Sequence, residues 1–213
     1  MDTILDFIKM VYRGKTLRRI VFNWKLKEWS KDFSGTVVDF GAGSSESLKK
    51  WLPEGVHYIP TDINQKEGVL FVDLNMPLPF ADDSIDAATL FFSLYIFEDA
   101  LQTLKEIRRI LKPNGKLYVA TPLIAPEIPE PHDYNRLTYE GLERKFSEAG
   151  FRNIQIERSG ERASSAVILL HPLFIFNTIR LCVFSVALVV DKMIRKYASK
   201  YPTPHTYFCV LQK

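Results

Sequence analysis

The chain opens on two stretches of helical periodicity. Ile4, Leu5, Ile8, Val11 and Tyr12 fall on one face, and Leu17, Ile20, Val21 and Trp24 on another, with Gly14 between them. The rhythm then changes. Thr36 to Phe40 is a short β-branched and apolar run behind Gly35 and ahead of Gly41 and Gly43, which predicts a buried strand. Val56–Ile63 and Gly68–Leu74 predict a second and a third strand, carrying acids near their ends at Asp62 and Asp73. A turn through Ala81–Ser84 feeds a fourth strand ending at Phe91. Leu101, Leu104, Ile107, Ile110 and Leu111 share one face of a helix over Asp99–Leu111, which Lys112-Pro113-Asn114-Gly115 stops as a turn before a fifth strand, Lys116–Thr121. Thr138 is placed to cap a helix that ends at Ala149-Gly150. Phe151–Arg158 alternates with period two as a sixth strand, and His205–Lys213 reads as a seventh. Strands alternating with helices predict an α/β domain built on a mostly parallel sheet.

The turn after the first strand is the chemical focus. Glycines there permit a tight bend and a close backbone approach to a ligand. Ser44 or Ser45 can cap the following helix, roughly Glu46 to Trp51, which stops before Pro53. The dinucleotide fingerprint G-x-G-x-x-G needs a third glycine where Glu46 stands, so what remains is D-x-G-x-G, with Asp39 two residues ahead of Gly41. Asp62 lies 19 residues beyond Gly43. An acid at the end of a second strand can accept both ribose hydroxyls, a device that marks a nucleoside without naming it.

The D-x-G-x-G turn resembles motif I of the class I S-adenosylmethionine-dependent methyltransferases. The run from Asp73 to Asp86, D-L-N-x-P-L-P-F-x-D-x-S-I-D, resembles the segment joining strands three and four in their methyltransferase-11 type. Leu104 to Pro122 resembles that family's helix, turn and strand five. In order, these pieces cover residues 36 to 122. The resemblance implies a Rossmann-like, doubly wound seven-stranded sheet of order 3-2-1-4-5-7-6, strand seven antiparallel, and S-adenosyl-L-methionine as cofactor. It assigns Asp39, Phe40, Gly41, Ala42, Gly43, Asp62, Ile63, Asp73, Leu74 and Phe91 to the cofactor, with Asp73 at the adenine amino group. The chain departs from the family at the end of strand four, where Leu94-Tyr95-Ile96 replaces the usual Leu-Glu-His. Tyr95 either lines the site or belongs to the core.

Residues 122–136 follow strand five and are expected over the carboxyl edge of the sheet, where such folds bind ligands. Their P-H-D-Y-x-R-x-T-x-E-G-L pattern is similar to that of methyltransferases of bacterial surface-glycan and lipid-linked pathways. His132 is the candidate base, since an unperturbed imidazole titrates near neutrality. Asp133, Tyr134 and Arg136 are candidates for orienting a hydroxylated acceptor; the plainer alternative is that Asp133 and Arg136 pair to hold the loop.

Composition narrows the partners. A net charge of +3 gives no case for nucleic acid, and two cysteines with four unpaired histidines give neither a disulfide framework nor a metal spacing. The beginning of the chain lacks a signal-peptide pattern, so a cytoplasmic setting is expected. The layout reads as one domain over 1–213: a helical leader over 1–32, a core over 36–162, an apolar helical insert over 163–200 and a closing strand over 205–213. The leader's polar face is basic, and Leu173–Val190 is 18 residues long and mostly apolar, interrupted by Asn177 and Arg180. As one helix it reaches only about 27 Å, so a helical hairpin at the inner face of the membrane is expected rather than a span. Packing over the site or in a homodimer interface stands as the alternative.

Methyl transfer to a small-molecule, glycan or lipid-linked acceptor is the leading function. A non-catalytic module of the same fold at a membrane surface is the second reading. An NAD-dependent oxidoreductase or epimerase is disfavoured by Glu46 and by the lack of Tyr-x-x-x-Lys after strand four.

Overall fold

The computed structural model describes residues 2–43, 46–64, 66–129, 132–198 and 200–213. The expected cap at Ser44 or Ser45 lies outside the described residues. Seven strands form one sheet: β1 (Thr36–Phe40), β2 (His57–Asp62), β3 (Leu70–Phe71), β4 (Ile85–Phe91), β5 (Leu111–Pro122), β6 (Arg152–Ser159) and β7 (Thr206–Gln212), in the order β3-β2-β1-β4-β5-β7-β6. The helices are α1 (Asp2–Tyr12), α2 (Leu17–Trp29), α3 (Glu46–Lys49), α4 (Leu101–Ile110), α5 (Tyr139–Glu148), α6 (Arg162–Leu169) and α7 (Asn177–Ala198).

β1 runs parallel to β2 and β4, with Val38 opposite Ile59 on one side and Ala88 on the other. A strand paired on both edges and covered on both faces needs apolar side chains at successive positions, and Val37, Val38 and Phe40 are fully buried. β7 enters antiparallel: Lys213 N–H donates to Gly115 O at its end, and Leu123 N–H to His205 O at its start.

Two predicted segments differ. The third strand contracts to Leu70–Phe71, because after Val72 N–H donates to Asp62 O the Asp73 carboxylate takes the N–H of Asn75 and turns the chain away. The turn at Lys112–Gly115 falls within β5 as an irregularity. Ile85 pairs with Leu111 but Ala87 with Lys116, so the intervening residues loop out, and Lys112 Nζ anchors them on Asp86 at 2.8 and 2.9 Å.

By its internal contacts the chain divides into two compact units. The larger comprises Leu26–Thr121, Ile128–Glu157 and Tyr207–Lys213 and holds most of the sheet. Trp29 centres an aromatic cluster there, stacked on Phe91 at 5.9 Å and edge-on to Tyr118 and Phe208 at 5.4 and 5.7 Å.

The smaller unit comprises Met1–Lys25, Pro122–Glu127 and Arg158–Thr206. Phe7, Val11, Leu17 and Ile20 pack there with Val167, Ile168, Phe184 and Ala187. The apolar stretch at 173–190 is not one helix, since Pro172 sits in a short 3-10 turn, His171–Leu173, and α7 starts only at Asn177. Among the described residues no helix is long and apolar enough to cross a membrane.

Candidate functional site

β1 delivers the chain into a left-handed turn, with Gly41 at φ +69° and Gly43 at φ +60°. A Cβ at Gly41 would lie 2.6 Å from Ser93 Oγ, so that position combines positive φ with steric crowding. At Gly43 a Cβ would meet no atom of the described residues within 4 Å, so the turn faces open space among them. Ala42 N–H donates to Thr61 O at 2.9 Å, and Gly43 N–H to Asp62 Oδ2 at 2.9 Å. The turn and the acid at the end of β2 are therefore one hydrogen-bonded unit.

Asp62 Oδ1 accepts from the backbone N–H and the side-chain amide of Asn64 at 2.8 and 3.0 Å. Burial pushes this carboxyl's pKa up, but the bonds from Asn64 and Gly43, with the charge of Lys66, outweigh it and hold the pKa below the ordinary value. Asp62 is thus ionised at neutral pH although only 8% exposed. Asp73 repeats the device at the end of β3, its Oδ1 accepting from Asn75 N–H and Nδ2 at 2.9 and 3.0 Å. The Asp-x-Asn spacing at 62–64 and at 73–75 was the available sequence signal for Asn64 and Asn75, which pattern reading passed over.

The other cofactor candidates divide. Ile63 is exposed and Leu74 half-buried beside these acids. Phe40 is fully buried with its ring against Phe80, and Phe91 is stacked on Trp29. Asp39 sits inside the sheet, where Tyr58 Oη donates to its Oδ2 at 2.8 Å and Thr89 Oγ1 to its Oδ1 at 2.5 Å. It joins β1 to both neighbouring strands, and nothing in the sequence pattern singled out Tyr58 or Thr89.

Burial raises the Asp39 pKa from 3.8 to about 6, against the lowering effect of the Thr89 and Tyr58 bonds and with a further push from the charge of Asp62. The sign follows from proton counting. Between the unfolded and folded values the folded state binds more protons, so stability falls as pH rises through that window, by up to roughly 3 kcal/mol. Asp39→Asn is expected to flatten this slope. Urea unfolding of both proteins across the window checks it, and parallel curves would assign the slope to other groups.

The structure brings Tyr95 together with the loop after β5. Tyr95 O accepts the N–H groups of Tyr134 and Asn135 at 2.9 and 3.2 Å, and the Arg136 guanidinium lies 4.8 Å from the Tyr95 ring centroid. Arg136 also pairs with Asp133, whose Oδ2 accepts from Ile128 N–H at 3.0 Å. The Asp133–Arg136 pair that the sequence left as an alternative is present and closes the loop. Asn135, not singled out in the sequence, donates through Nδ2 to Phe97 O and Glu98 O at 2.5 and 3.0 Å. His132 is exposed, its ring tilted on Tyr134 at a centroid distance of 5.0 Å.

A glycine turn tied to an acid at the end of β2, on a sheet of this order with an antiparallel seventh strand, defines the class I S-adenosylmethionine-dependent methyltransferase fold. Residues 38–119 match the family described as a methyltransferase domain. A demethylmenaquinone methyltransferase of Corynebacterium glutamicum (strain R) is 33% identical over 58% of this chain and 55% of its own length, so the chain spans about half the length of that curated relative. A SAM dependent methyltransferase from Archaeoglobus fulgidus has the same fold at a TM-score of 0.63 and 18% identity, covering 97% of this chain and 99% of that one. Phosphoethanolamine N-methyltransferase 2 of Haemonchus contortus, solved in complex with S-adenosyl-L-methionine, aligns at a TM-score of 0.56 and 16% identity, over 84% of this chain and 49% of that one.

Proposed function

We propose that this protein transfers a methyl group from S-adenosylmethionine to a small-molecule acceptor, and that the acceptor is quinone-like or lipid-linked. The observation that carries the reading is the Gly43 N–H bond to Asp62 Oδ2, which fixes the glycine turn against a carboxylate. The residues fit the cofactor. Each carboxylate oxygen has two acceptor positions, and among the described residues Asp62 Oδ2 accepts only from Gly43, so it retains capacity for a ribose hydroxyl. The open space at Gly43 leaves room for the ligand. Asp73 would take the adenine amino group, and Ile63 offers an apolar surface beside the base.

The bound cofactor supplies an electrophilic methyl group on a sulfonium; the protein's part is alignment and exclusion of water. Tyr95, Asp133, Tyr134 and Arg136 would orient the acceptor, with the Asp133–Arg136 pair keeping the loop in one conformation. His132 would accept the proton of an acceptor hydroxyl. A lipid-like acceptor is supported by the likeness to the Corynebacterium relative, a demethylmenaquinone methyltransferase. Binding without turnover is the second reading, favoured by the place of Tyr95, whose ring lies under Arg136 where the family carries an acid and an imidazole.

Isothermal titration with S-adenosylmethionine and S-adenosylhomocysteine tests the reading, and no heat of binding with either overturns it. His132→Ala is expected to lower turnover about 100-fold, the lower end of general-base effects, while S-adenosylhomocysteine affinity stays within about twofold. Equal losses in both would make the loop part of the cofactor site instead.

A further inference from the structure

The smaller unit combines two surface properties. Leu173, Ile175 and Phe176 are 70%, 75% and 66% exposed, although the core of that unit is closed without them by Phe7, Val11, Ile20, Ile168 and Phe184. Its segments carry 13 Lys and Arg against 5 Asp and Glu, a net +8, which leaves −5 on the rest of a chain of +3. Two of those five acids, Glu161 and Asp191, are buried, so its surface is more basic still.

The two properties meet at one place. Asn177 Nδ2 donates to Tyr12 O at 3.4 Å, and Arg180 Nη1 lies 3.9 Å from where a Cβ would stand on Gly14. Arg180 Nε donates to Phe174 O at 2.6 Å, holding the 173–176 turn beside the α1–α2 turn. The result is an apolar tip with the exposed cations Arg13 and Lys15 at its rim.

We propose that this tip docks on an anionic lipid bilayer surface. Leu173, Ile175 and Phe176 enter the boundary of the acyl region, and Arg13 and Lys15 meet lipid phosphates. Buried apolar area and attraction to anionic lipid add in such binding. Charge selects this occupant over a second copy of the chain. The outward stripe of α7, Ile179, Val186, Val189 and Met193, is accompanied by the exposed cations Lys192, Arg195 and Lys196, so pairing two copies there would oppose two strongly basic faces. A bilayer rich in phosphatidylglycerol neutralises them.

The inference is independent of methyl transfer, because it is tested without cofactor. The full chain is sedimented with vesicles of phosphatidylcholine alone and of phosphatidylcholine with phosphatidylglycerol, at low and high salt. Binding to the mixed vesicles is expected to be roughly tenfold or more stronger than to the neutral ones, and to weaken with salt. Ile175→Ser with Phe176→Ser is expected to lose most binding at low salt. Arg13→Glu with Lys15→Glu is expected to lose the preference for anionic lipid. All variants should keep the wild-type melting temperature, since none of these side chains belongs to the core. A wild-type chain that stays in the supernatant throughout overturns the proposal. So does equal binding by the serine variant, or a wild-type dimer in sedimentation that the serine variant dissociates.

Discussion

Asp62→Ala is expected to weaken S-adenosylhomocysteine binding about 100-fold. The substitution removes a charged acceptor from the ribose, worth roughly 1.5–3 kcal/mol per hydrogen bond. It also frees Gly43 N–H and both donors of Asn64, so the turn after β1 loses the group that fixes it. Asp62→Asn separates the two contributions. An amide oxygen keeps part of the hydrogen bonding but no charge, and a loss of about tenfold is expected. Titration calorimetry, with far-ultraviolet circular dichroism as the check of folding, gives the answer. Unchanged affinity in a folded Asp62→Ala protein would remove this residue from the nucleoside site.

Asp191→Ala is expected to cost about 2–3 kcal/mol of stability, the range for losing hydrogen bonds to a charged acceptor and leaving a buried donor unsatisfied. Asp191 lies on α7 and is 4% exposed, and its carboxylate serves the first turn of α6. Glu161 N–H donates to Oδ2 at 2.8 Å, Ala163 N–H to Oδ1 at 2.9 Å, and Ser164 adds its N–H and hydroxyl. These are the donors that a helix start leaves without intrahelical partners, and a negative charge there also faces the positive end of the helix dipole. Removing the carboxylate takes the acceptor from Ala163 N–H and leaves Glu161 and Ser164 with only the bonds of the capping box between them. Urea unfolding measures the loss, and Asp191→Asn should recover part of it. A change under about 1 kcal/mol would mean that water replaces the carboxylate without difficulty.

The two predictions differ in how far the sequence could have led to them. Asp62 was legible because its place depends on short-range rules: a strand, a glycine turn, a second strand and an acid at its end. The strand order was legible through the family resemblance over residues 36–122. Asp191 gave no such signal, since its partners lie 27 to 30 positions away on another helix. The same holds for Tyr58 and Thr89, which reach Asp39 from two different strands.

The sequence by itself determined the alternation of strands and helices, the glycine turn and the acids at the ends of β2 and β3. Local backbone preferences and hydrophobic periodicity act over a few residues, and these features need no more. Tertiary structure alone brought the Asp62 carboxylate to Gly43 N–H. It set Asp39 inside the sheet and paired Asp133 with Arg136 across Tyr95. It also split the 173–190 stretch into an exposed turn and a helix with one buried face. Each of these depends on which distant side chains share a neighbourhood after the sheet and helices pack, and burial and hydrogen-bond partners are fixed only then.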